Sequence, residues 1–270
     1  MKKVIKIELI KLMYNTSFWV MFAVYAFLFY MMTNNFSFFL NNATLTIQTE
    51  GDIAANIPQM INSVFAFPDV WRNLAYMASY LNPIPAIIII MIICNEYRFK
   101  TFKQQVINGL DPKSLVLGKF SVVAILTIAS MLFLFVSTLL VGKSNASISG
   151  NEQLSILSGM EAVLLYGLEL MGYLSLAMLF AFVVKKTAES ILLFFAWTII
   201  LQRLAGWALG DIGNFFPSGV FRELNTFPFW KYFSPEKMSF VEPWEIGISV
   251  LYILLFALAS VFYMNTRDLK

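Results

Sequence analysis

Residues 95–119, NEYRFKTFKQQVINGLDPKSLVLGK, form a charged segment between two apolar runs that are each long enough to cross a bilayer. The segment carries five of the 19 Lys and Arg residues of the chain. Phe99, Phe102 and Val106 recur at a spacing that places them on one helical stripe, with charged residues elsewhere around the axis. This pattern predicts an amphipathic helix of about three or four turns over residues 96–108. A basic loop that lies on anionic lipid head groups would give the same pattern.

The second half of the segment contains the signals of a new helix. Gly109 is suited to a helix terminus, because glycine adopts the left-handed conformation in which many helices end. Asp111 can supply an N-cap oxygen, and Pro112 has the backbone dihedral that is favoured at the first helical position. We therefore expect a helix that begins near Pro112 and continues into the next apolar run.

The composition of the whole chain is that of a membrane protein. Of its 270 residues, 59% are hydrophobic and only 13% are charged, and the mean hydropathy is +0.72. The net charge of +3 is too small to indicate a nucleic-acid-binding protein. A single cysteine, Cys94, excludes an internal disulfide. The absence of histidine excludes the common zinc sites and the Ser/His and Cys/His catalytic arrangements.

Six apolar runs each predict a membrane-spanning helix. We therefore expect an all-α integral membrane protein in which residues 1–270 form a single transmembrane domain. Residues 1–16 alternate lysines with aliphatic side chains, which predicts an amphipathic helix along the interface before the first span. The predicted spans are residues 17–33, 73–95, 120–142, 162–184, 190–210 and 246–266.

The stretches near and between these spans have distinct features. Residues 34–79 are mixed and polar, which predicts a large outer loop, and a short outer loop is expected at 143–158. The sequence NPIP at residues 82–85 predicts a kink or an irregular helix start, because proline lacks the amide hydrogen that a helix uses. Residues 211–243 are aromatic and interrupted by Pro and Gly, so we expect them to enter the membrane from outside without crossing it.

Basic residues are distributed unevenly over the two sides of this topology. The side that holds both termini and the 95–119 segment carries 13 of the 19 Lys and Arg residues, and the other side carries six. Cytoplasmic loops are enriched in Lys and Arg. Both termini and the 95–119 segment are therefore predicted to be cytoplasmic.

Two charges fall within predicted spans, Glu169 in the fourth and Arg203 in the fifth. An unpaired charge in the hydrocarbon costs roughly 3 kcal/mol on insertion scales. The two residues lie at similar distances from the outer ends of helices that a short turn joins, which predicts an ion pair between them. The alternatives are an Arg203 side chain that extends to the head groups and a protonated Glu169.

The chain contains no recognisable motif for ATP binding or catalysis. Gly118-Lys119 is followed by Phe120, and Lys113 stands where the first glycine of an ATP-binding loop belongs. Neither a G-x-S-x-G nor an H-E-x-x-H motif is present. We therefore expect no cofactor or metal on this chain, and any energy source has to be a separate subunit.

The order of these features resembles an ABC transporter permease subunit of the type-2 exporter class. In that family the second span is followed by a glutamate, a threonine, a helix, a Pro-x-Ser-like turn and a Gly-Lys pair before the third span. The chain departs from this pattern at Lys100, where a glycine often precedes the threonine, and at Leu115, where an arginine is common. The matching residues are Glu96, Thr101, Pro112, Ser114, Gly118 and Lys119, with a similar ending at Arg267-Asp268-Leu269.

The resemblance implies that the helix after the second span is a coupling helix that docks on a separate ATPase subunit, where ATP is bound. It also implies that the aromatic segment forms outer re-entrant helices and that two permease chains pair, as a homodimer or heterodimer, in the plasma membrane of a bacterium. The residues expected at the ATPase contact are Glu96, Arg98, Phe99, Thr101, Phe102, Lys103 and Val106. Those expected in the outer re-entrant segment are Phe215, Phe216, Phe227, Phe229 and Trp230.

We therefore expect a permease subunit of an ATP-driven exporter, which is not itself an enzyme. Its substrate is expected to be hydrophobic or amphipathic, for example a lipid or a peptide antibiotic, because the spans are apolar. The alternatives are a membrane-embedded enzyme that acts on lipid or peptide and an immunity protein that binds a peptide without ATP.

Overall fold

The computed structural model describes residues 2–47, 65–149, 156–209, 215–225 and 241–266. Throughout these ranges the regular secondary structure is helical, which confirms the predicted all-α class. The first six helices are α1 (Lys2–Tyr14), α2 (Thr16–Ile47), α3 (Val70–Ser79), α4 (Pro83–Arg98), α5 (Thr101–Ile107) and α6 (Pro112–Ser149). They are followed by α7 (Glu161–Val184), α8 (Thr187–Phe195), a π-helical turn (Ala196–Leu201), α9 (Gln202–Leu209), α10 (Pro217–Glu223) and α11 (Pro243–Thr266).

Four helices are long and apolar enough to cross a membrane, within the part of the chain that the structure describes. They are α2 over Thr16–Asn34, α6 over Pro112–Ser144, α7 and α11. Helices α3 and α4 together make a fifth candidate, bent by 44°. The predicted fifth span falls on α8, the π-helical turn and α9, and its apolar part, Thr187–Leu201, is shorter than the others. The structure thus contains four or five candidate spans, and the predicted count of six is not confirmed.

The bend between α3 and α4 lies where the NPIP sequence predicted it. Helix α3 ends at Ser79, and α4 starts at Pro83 after Asn82. Proline is tolerated in the first helical turn, where its missing amide hydrogen has no helical acceptor. The break therefore follows from local sequence, and it leaves the side chains of Ser79 and Asn82 at the junction of the two helices.

Helix α7 is the centre of the bundle. It packs against α3, α4, α6, α8, α10 and α11. Two glycines let neighbouring helices approach it closely: a Cβ atom at Gly172 would collide with the ring of Phe221, and one at Gly167 would collide with Met131. The side chain of Phe221 is fully buried, so α10 packs against the middle of the bundle.

Two predicted loops are partly helical. Helix α2 continues to Ile47 and α3 begins at Val70, so the prediction of a loop over 34–79 is wrong for both ends of that range. Helix α6 begins at Pro112, as predicted, and continues to Ser149 through the start of the predicted loop at 143–158. Long helices are favoured here because backbone groups in and near a membrane have few other hydrogen-bond partners.

The 95–119 segment contains two helix ends, not one continuous amphipathic helix. Helix α4 ends at Arg98, and α5 begins only at Thr101, because Lys100 adopts the left-handed conformation with φ 57°. The predicted helix over 96–108 is therefore wrong. Its predicted end is confirmed, since Gly109 has φ 88° and its amide donates to the carbonyl of Val106 at 2.9 Å. The start of α6 at Pro112 is also confirmed.

Candidate functional site

Four charged side chains from three helices form a closed cluster beside α5, which we call the ion cluster. Nζ of Lys119 lies 2.5 Å from Oε2 of Glu8 and 2.7 Å from Oε1 of Glu96. Nζ of Lys11 lies 3.0 Å from Oε1 of Glu8 and 2.8 Å from Oε1 of Glu96. Each lysine thus bridges the same two glutamates, and the cluster joins α1, the end of α4 and the start of α6.

Most of the ion cluster is shielded from solvent. The side chains of Lys119 and Glu8 are 2% and 3% exposed, whereas Lys11 is 34% exposed. Burial by itself raises the pKa of the Glu8 carboxyl, but Lys119 and Lys11 outweigh it and hold that pKa below its ordinary value of 4.5. Burial lowers the pKa of Lys11, but Glu96 and Glu8 outweigh it and raise that pKa above 10.5. Glu8 and Lys11 are therefore held in their charged forms.

Local sequence explains how the cluster assembles. Gly118 allows α1 to lie close to α6, because a Cβ atom at this position would be 2.8 Å from Cγ1 of Val4. Lys119 follows directly and reaches Glu8 on α1. The hydroxyl of Thr101 donates to the backbone carbonyl of Glu96 at 3.3 Å, which links the start of α5 to the end of α4. Glu96, Thr101, Gly118 and Lys119 of the sequence pattern thus meet at one place.

A cavity of about 460 Å³ adjoins the ion cluster. Its lining includes Glu8, Lys11 and Glu96 from the cluster and Phe99, Thr101 and Gln104 from the region of α5. The second carboxylate oxygen of Glu96, Oε2, is buried without a hydrogen-bond partner. A buried acceptor without a partner loses the hydrogen bonds that water gave it in the unfolded chain. The cavity is therefore a polar cleft whose wall carries an unsatisfied acceptor.

The residues predicted to contact an ATPase separate into two groups in the structure. Arg98, Phe99 and Lys103 are exposed, with Phe99 67% exposed and the Arg98 guanidinium 5.7 Å from its ring. Thr101 and Val106 are partly buried. Ile107, which the sequence analysis did not single out as a contact residue, is 73% exposed at the end of α5.

The prediction that Phe102 faces an ATPase is wrong. Its side chain is 1% exposed and stacks on Tyr97 with ring centroids 5.2 Å apart. It also makes an edge contact with Phe182 of α7 at 6.1 Å. The break at Lys100 turns this face of α5 toward the bundle, so Phe102 holds α5 in place and is not available to a partner.

The structure does not bring Glu169 and Arg203 together. Glu169 is 3% exposed and accepts hydrogen bonds from three neutral groups: Ser79 Oγ at 2.7 Å, Asn82 Nδ2 at 2.9 Å and Asn225 Nδ2 at 2.5 Å. Arg203 is exposed on α9. Trp207 on the same helix is 87% exposed, so α9 lies away from α7. The predicted ion pair is therefore replaced by neutral donors.

The outer aromatic residues are described only in part. Phe215 is half exposed and lies 5.4 Å from Trp244 between ring centroids, and its carbonyl accepts from the hydroxyl of Tyr252 at 2.8 Å. Phe216 precedes α10 and is partly buried. Residues Phe227, Phe229 and Trp230 lie outside the described residues.

Sequence reasoning missed Glu8 and the polar partners of Glu169. Glu8 had a detectable signal, because it is the only acidic residue before Glu50 and stands three positions before Lys11. Asn82 was noted only for its place in the NPIP break. Ser79 and Asn225 had no signal in the sequence, since a neutral polar side chain gains this role only from the carboxylate that folding places beside it.

Comparison with known protein families agrees with this architecture. The family described as "ABC-2 family transporter protein" matches residues 4–201, which is well over half of the chain and includes the ion cluster, α5 and Glu169. No curated protein matches the sequence. Members of the matched family are membrane subunits for transport that are not themselves catalytic, which argues against the membrane-embedded enzyme. The helical bundle with several candidate spans and the match over residues 4–201 together show that the chain is a multi-pass membrane protein of the ABC-2 transporter family.

Proposed function

We propose that this chain is the membrane-spanning permease subunit of an ATP-driven exporter and that α5 is its coupling helix. The observation that carries the proposal is the position of α5, a short helix between two candidate spans with an exposed apolar side chain just before it and another at its last residue. Phe99 and Ile107 are 67% and 73% exposed, and Arg98 and Lys103 beside them are exposed cations. Exposed apolar side chains on a segment that also carries exposed cations are typical of a protein contact.

The internal contacts of α5 support this role. Phe102 fastens α5 to Tyr97 on α4 and to Phe182 on α7. The ion cluster then joins the end of α4 to α6 and to α1. A displacement of α5 is therefore passed directly to α4 and α7, and through the ion cluster at the end of α4 to α6 and α1. Such a connection is what a subunit needs if ATP hydrolysis on a partner is to change its conformation.

The proposal extends to the assembly and its place in the cell. Two permease chains pair in the plasma membrane of a bacterium, with both termini and α5 in the cytoplasm next to the ATPase. Residues 190–210, the fifth predicted span, also cross the membrane and bring the number of spans to six. The described helical stretch Thr187–Leu209 is long enough to cross a hydrocarbon core of about 30 Å at about 1.5 Å per residue. The re-entrant segment lies on the outer side, and the exported molecule is hydrophobic or amphipathic.

Co-purification with the ATPase tests the docking role. Phe99→Asp and Ile107→Asp are each expected to abolish recovery of a stoichiometric ATPase subunit while leaving the elution profile of the permease unchanged. Leu157→Asp is the matched control, because Leu157 is 62% exposed and precedes α7 at the other end of the bundle. If both variants retain the ATPase as well as the control does, α5 and the residues just before it are not the docking site.

A further inference from the structure

A second cavity, of about 280 Å³, lies at the break between α3 and α4. It is lined by polar and aromatic side chains, namely Tyr76, Asn82, Glu169, Tyr173, Thr198 and Arg222. Tyr80, also in the lining, is 61% exposed, so the cavity is open to the surroundings. It is remote from the ion cluster, because Glu169 lies in the first half of α7 and α5 packs near the end of that helix.

The cavity contains a carboxylate without a basic partner among the residues that the structure describes. Three donors converge on Glu169, and all are neutral: Ser79, Asn82 and Asn225. Neutral hydrogen bonds satisfy the two oxygens geometrically but bring no opposite charge. A buried carboxylate without a counter-charge is costly, and such residues within membrane proteins usually face a functional cavity.

A second unsatisfied group lies beside this carboxylate. Asn82 is 3% exposed, and its amide nitrogen is used by Glu169. Its carbonyl oxygen, Oδ1, is buried and has no hydrogen-bond partner. A buried acceptor without a donor is unfavourable, because it has lost the hydrogen bonds that water gave it in the unfolded chain. The site therefore lacks two things at once, a positive charge for Glu169 and a hydrogen-bond donor for Asn82.

We propose that this cavity binds the primary ammonium group of an amphipathic amine. A primary ammonium supplies both missing properties, since it carries a positive charge and three donors. The apolar body of the amine would contact the rings of Tyr76, Tyr173 and Phe194, whose faces favour a nearby cation as well. Together with the proposed function, on which this step rests, such a site makes amphipathic amines a class of exported substrate.

Within the described part of the chain, the basic residue in the lining of this cavity is Arg222. Its guanidinium does not occupy the position beside Glu169 that we propose for the ammonium group. Its side chain is 66% exposed, and its Nη2 lies 4.0 Å from Oε1 of Glu223. The positive charge is thus at the open side, and the negative charge of Glu169 is at the buried side. An amine enters with its ammonium toward the buried side, and Arg222 weakens this binding by repulsion.

The test measures binding to the purified full-length chain in lipid nanodiscs, without ATPase or ATP. The two probes are phenylbutylamine, which is protonated at neutral pH, and phenylbutanol, which has nearly the same shape and no charge. Isothermal titration calorimetry is expected to show that the wild-type chain binds the amine at least about tenfold more tightly than the alcohol. Glu169→Gln is expected to lower the affinity for the amine to that for the alcohol.

Matched variants separate a binding site from a purely structural cluster. Glu161→Gln removes an exposed acid from the start of the same helix and is expected to leave both affinities unchanged. Arg222→Gln is expected to strengthen amine binding, because it removes the repelling charge, and weaker amine binding by this variant would contradict the proposed orientation. Equal wild-type affinities for amine and alcohol, or unchanged amine binding by Glu169→Gln, would show that the cavity is not an ammonium site.

The wild-type comparison decides the question even if Glu169→Gln does not fold. Because no ATPase is present, a negative result leaves the docking of α5 untouched. Conversely, loss of ATPase recovery in the α5 variants says nothing about amine binding. The two proposals therefore fail independently.

Discussion

The ammonium nitrogen of Lys119 lies 2.7 Å from Oε1 of Glu96, and this contact ties the start of α6 to the end of α4 on either side of α5. Lys119 is 2% exposed at its side chain and also binds Glu8 on α1. A buried charge that loses its partners has no water to replace them. The end of α4 and the start of α6, which flank α5, are thus held together by ion pairs. Loss of one member leaves the other charges buried without a partner.

Replacing Lys119 with methionine should destabilise the protein strongly. The substitution keeps the length of the side chain but leaves Glu8 and Glu96 close together with only Lys11 between them. Breaking a buried ion pair on one side costs about 3–5 kcal/mol. Thermal unfolding of the purified protein in detergent is the measurement. Lys113→Met, which changes an exposed lysine of the same helix, is the control and should leave the midpoint nearly unchanged. Equal midpoints for the two variants would contradict the structural role of the cluster.

Stability should fall in acid because of Glu8. Its pKa is lower in the folded protein than its ordinary value of 4.5, so its carboxylate stabilises the fold above that value. This contribution is lost as the pH falls from 4.5 through the lower pKa of the folded state. Glu8→Gln should therefore be less stable than the wild type at neutral pH, and the difference should shrink on acidification. Unfolding midpoints between neutral and acidic pH measure this, with Glu189→Gln as the control because Glu189 is 57% exposed. A constant difference across the pH range would show that Glu8 is not the titrating group.

Lys100 should tolerate glycine better than it tolerates valine. Its φ of 57° is in the left-handed region, which costs a residue with a side chain about 1–2 kcal/mol. Lys100→Gly removes that strain but gives the unfolded chain more freedom, so we expect a gain of at most about 1 kcal/mol. Lys100→Val should lose more than about 1 kcal/mol, because a branched side chain is the least suited to this conformation.

Lys103→Gly is the matched control for that pair. It places glycine inside α5 at an exposed position and should cost about 0.5–1 kcal/mol. Chemical unfolding of the purified variants ranks the four proteins. If Lys100→Gly loses as much stability as Lys103→Gly, the left-handed conformation at position 100 is not a source of strain.

Phe102→Ala should lower stability, in contrast to substitutions at the exposed side chains of α5. The phenyl ring is 1% exposed between Tyr97 and Phe182, and removing a buried phenylalanine side chain costs about 3–5 kcal/mol. Ile107→Ala is the control, since Ile107 is 73% exposed and its loss should change stability by less than about 0.5 kcal/mol. Thermal midpoints that do not differ between the two variants would contradict the burial of Phe102.

Several features of this protein were determined by local sequence alone. The apolar composition indicates a membrane protein, and its long apolar runs indicate spanning helices, in which the backbone groups bind each other. Proline and glycine then set three helix boundaries: α4 starts at Pro83, α5 ends before Gly109 and α6 starts at Pro112. These predictions held because the cause lies within a few residues of the effect.

The candidate sites depended on contacts between distant parts of the chain. Lys119 and Glu8 are 111 positions apart, and Asn82 and Glu169 are 87 positions apart. The helical spacing of Phe99, Phe102 and Val106 predicted one stripe, but the break at Lys100 leaves Phe99 outside α5 and exposed, whereas Phe102 is buried against the bundle. Spacing alone does not show which side chains other helices of the chain cover. Likewise, the sequence showed that Glu169 is a charge within a span and needs partners. Only helix packing decided that its partners are two amides and a hydroxyl, and that Arg203 is not one of them. A side chain's partners are set by which helices meet, and that is a property of the tertiary structure, because burial and electrostatic energies depend on distance in space and not along the chain.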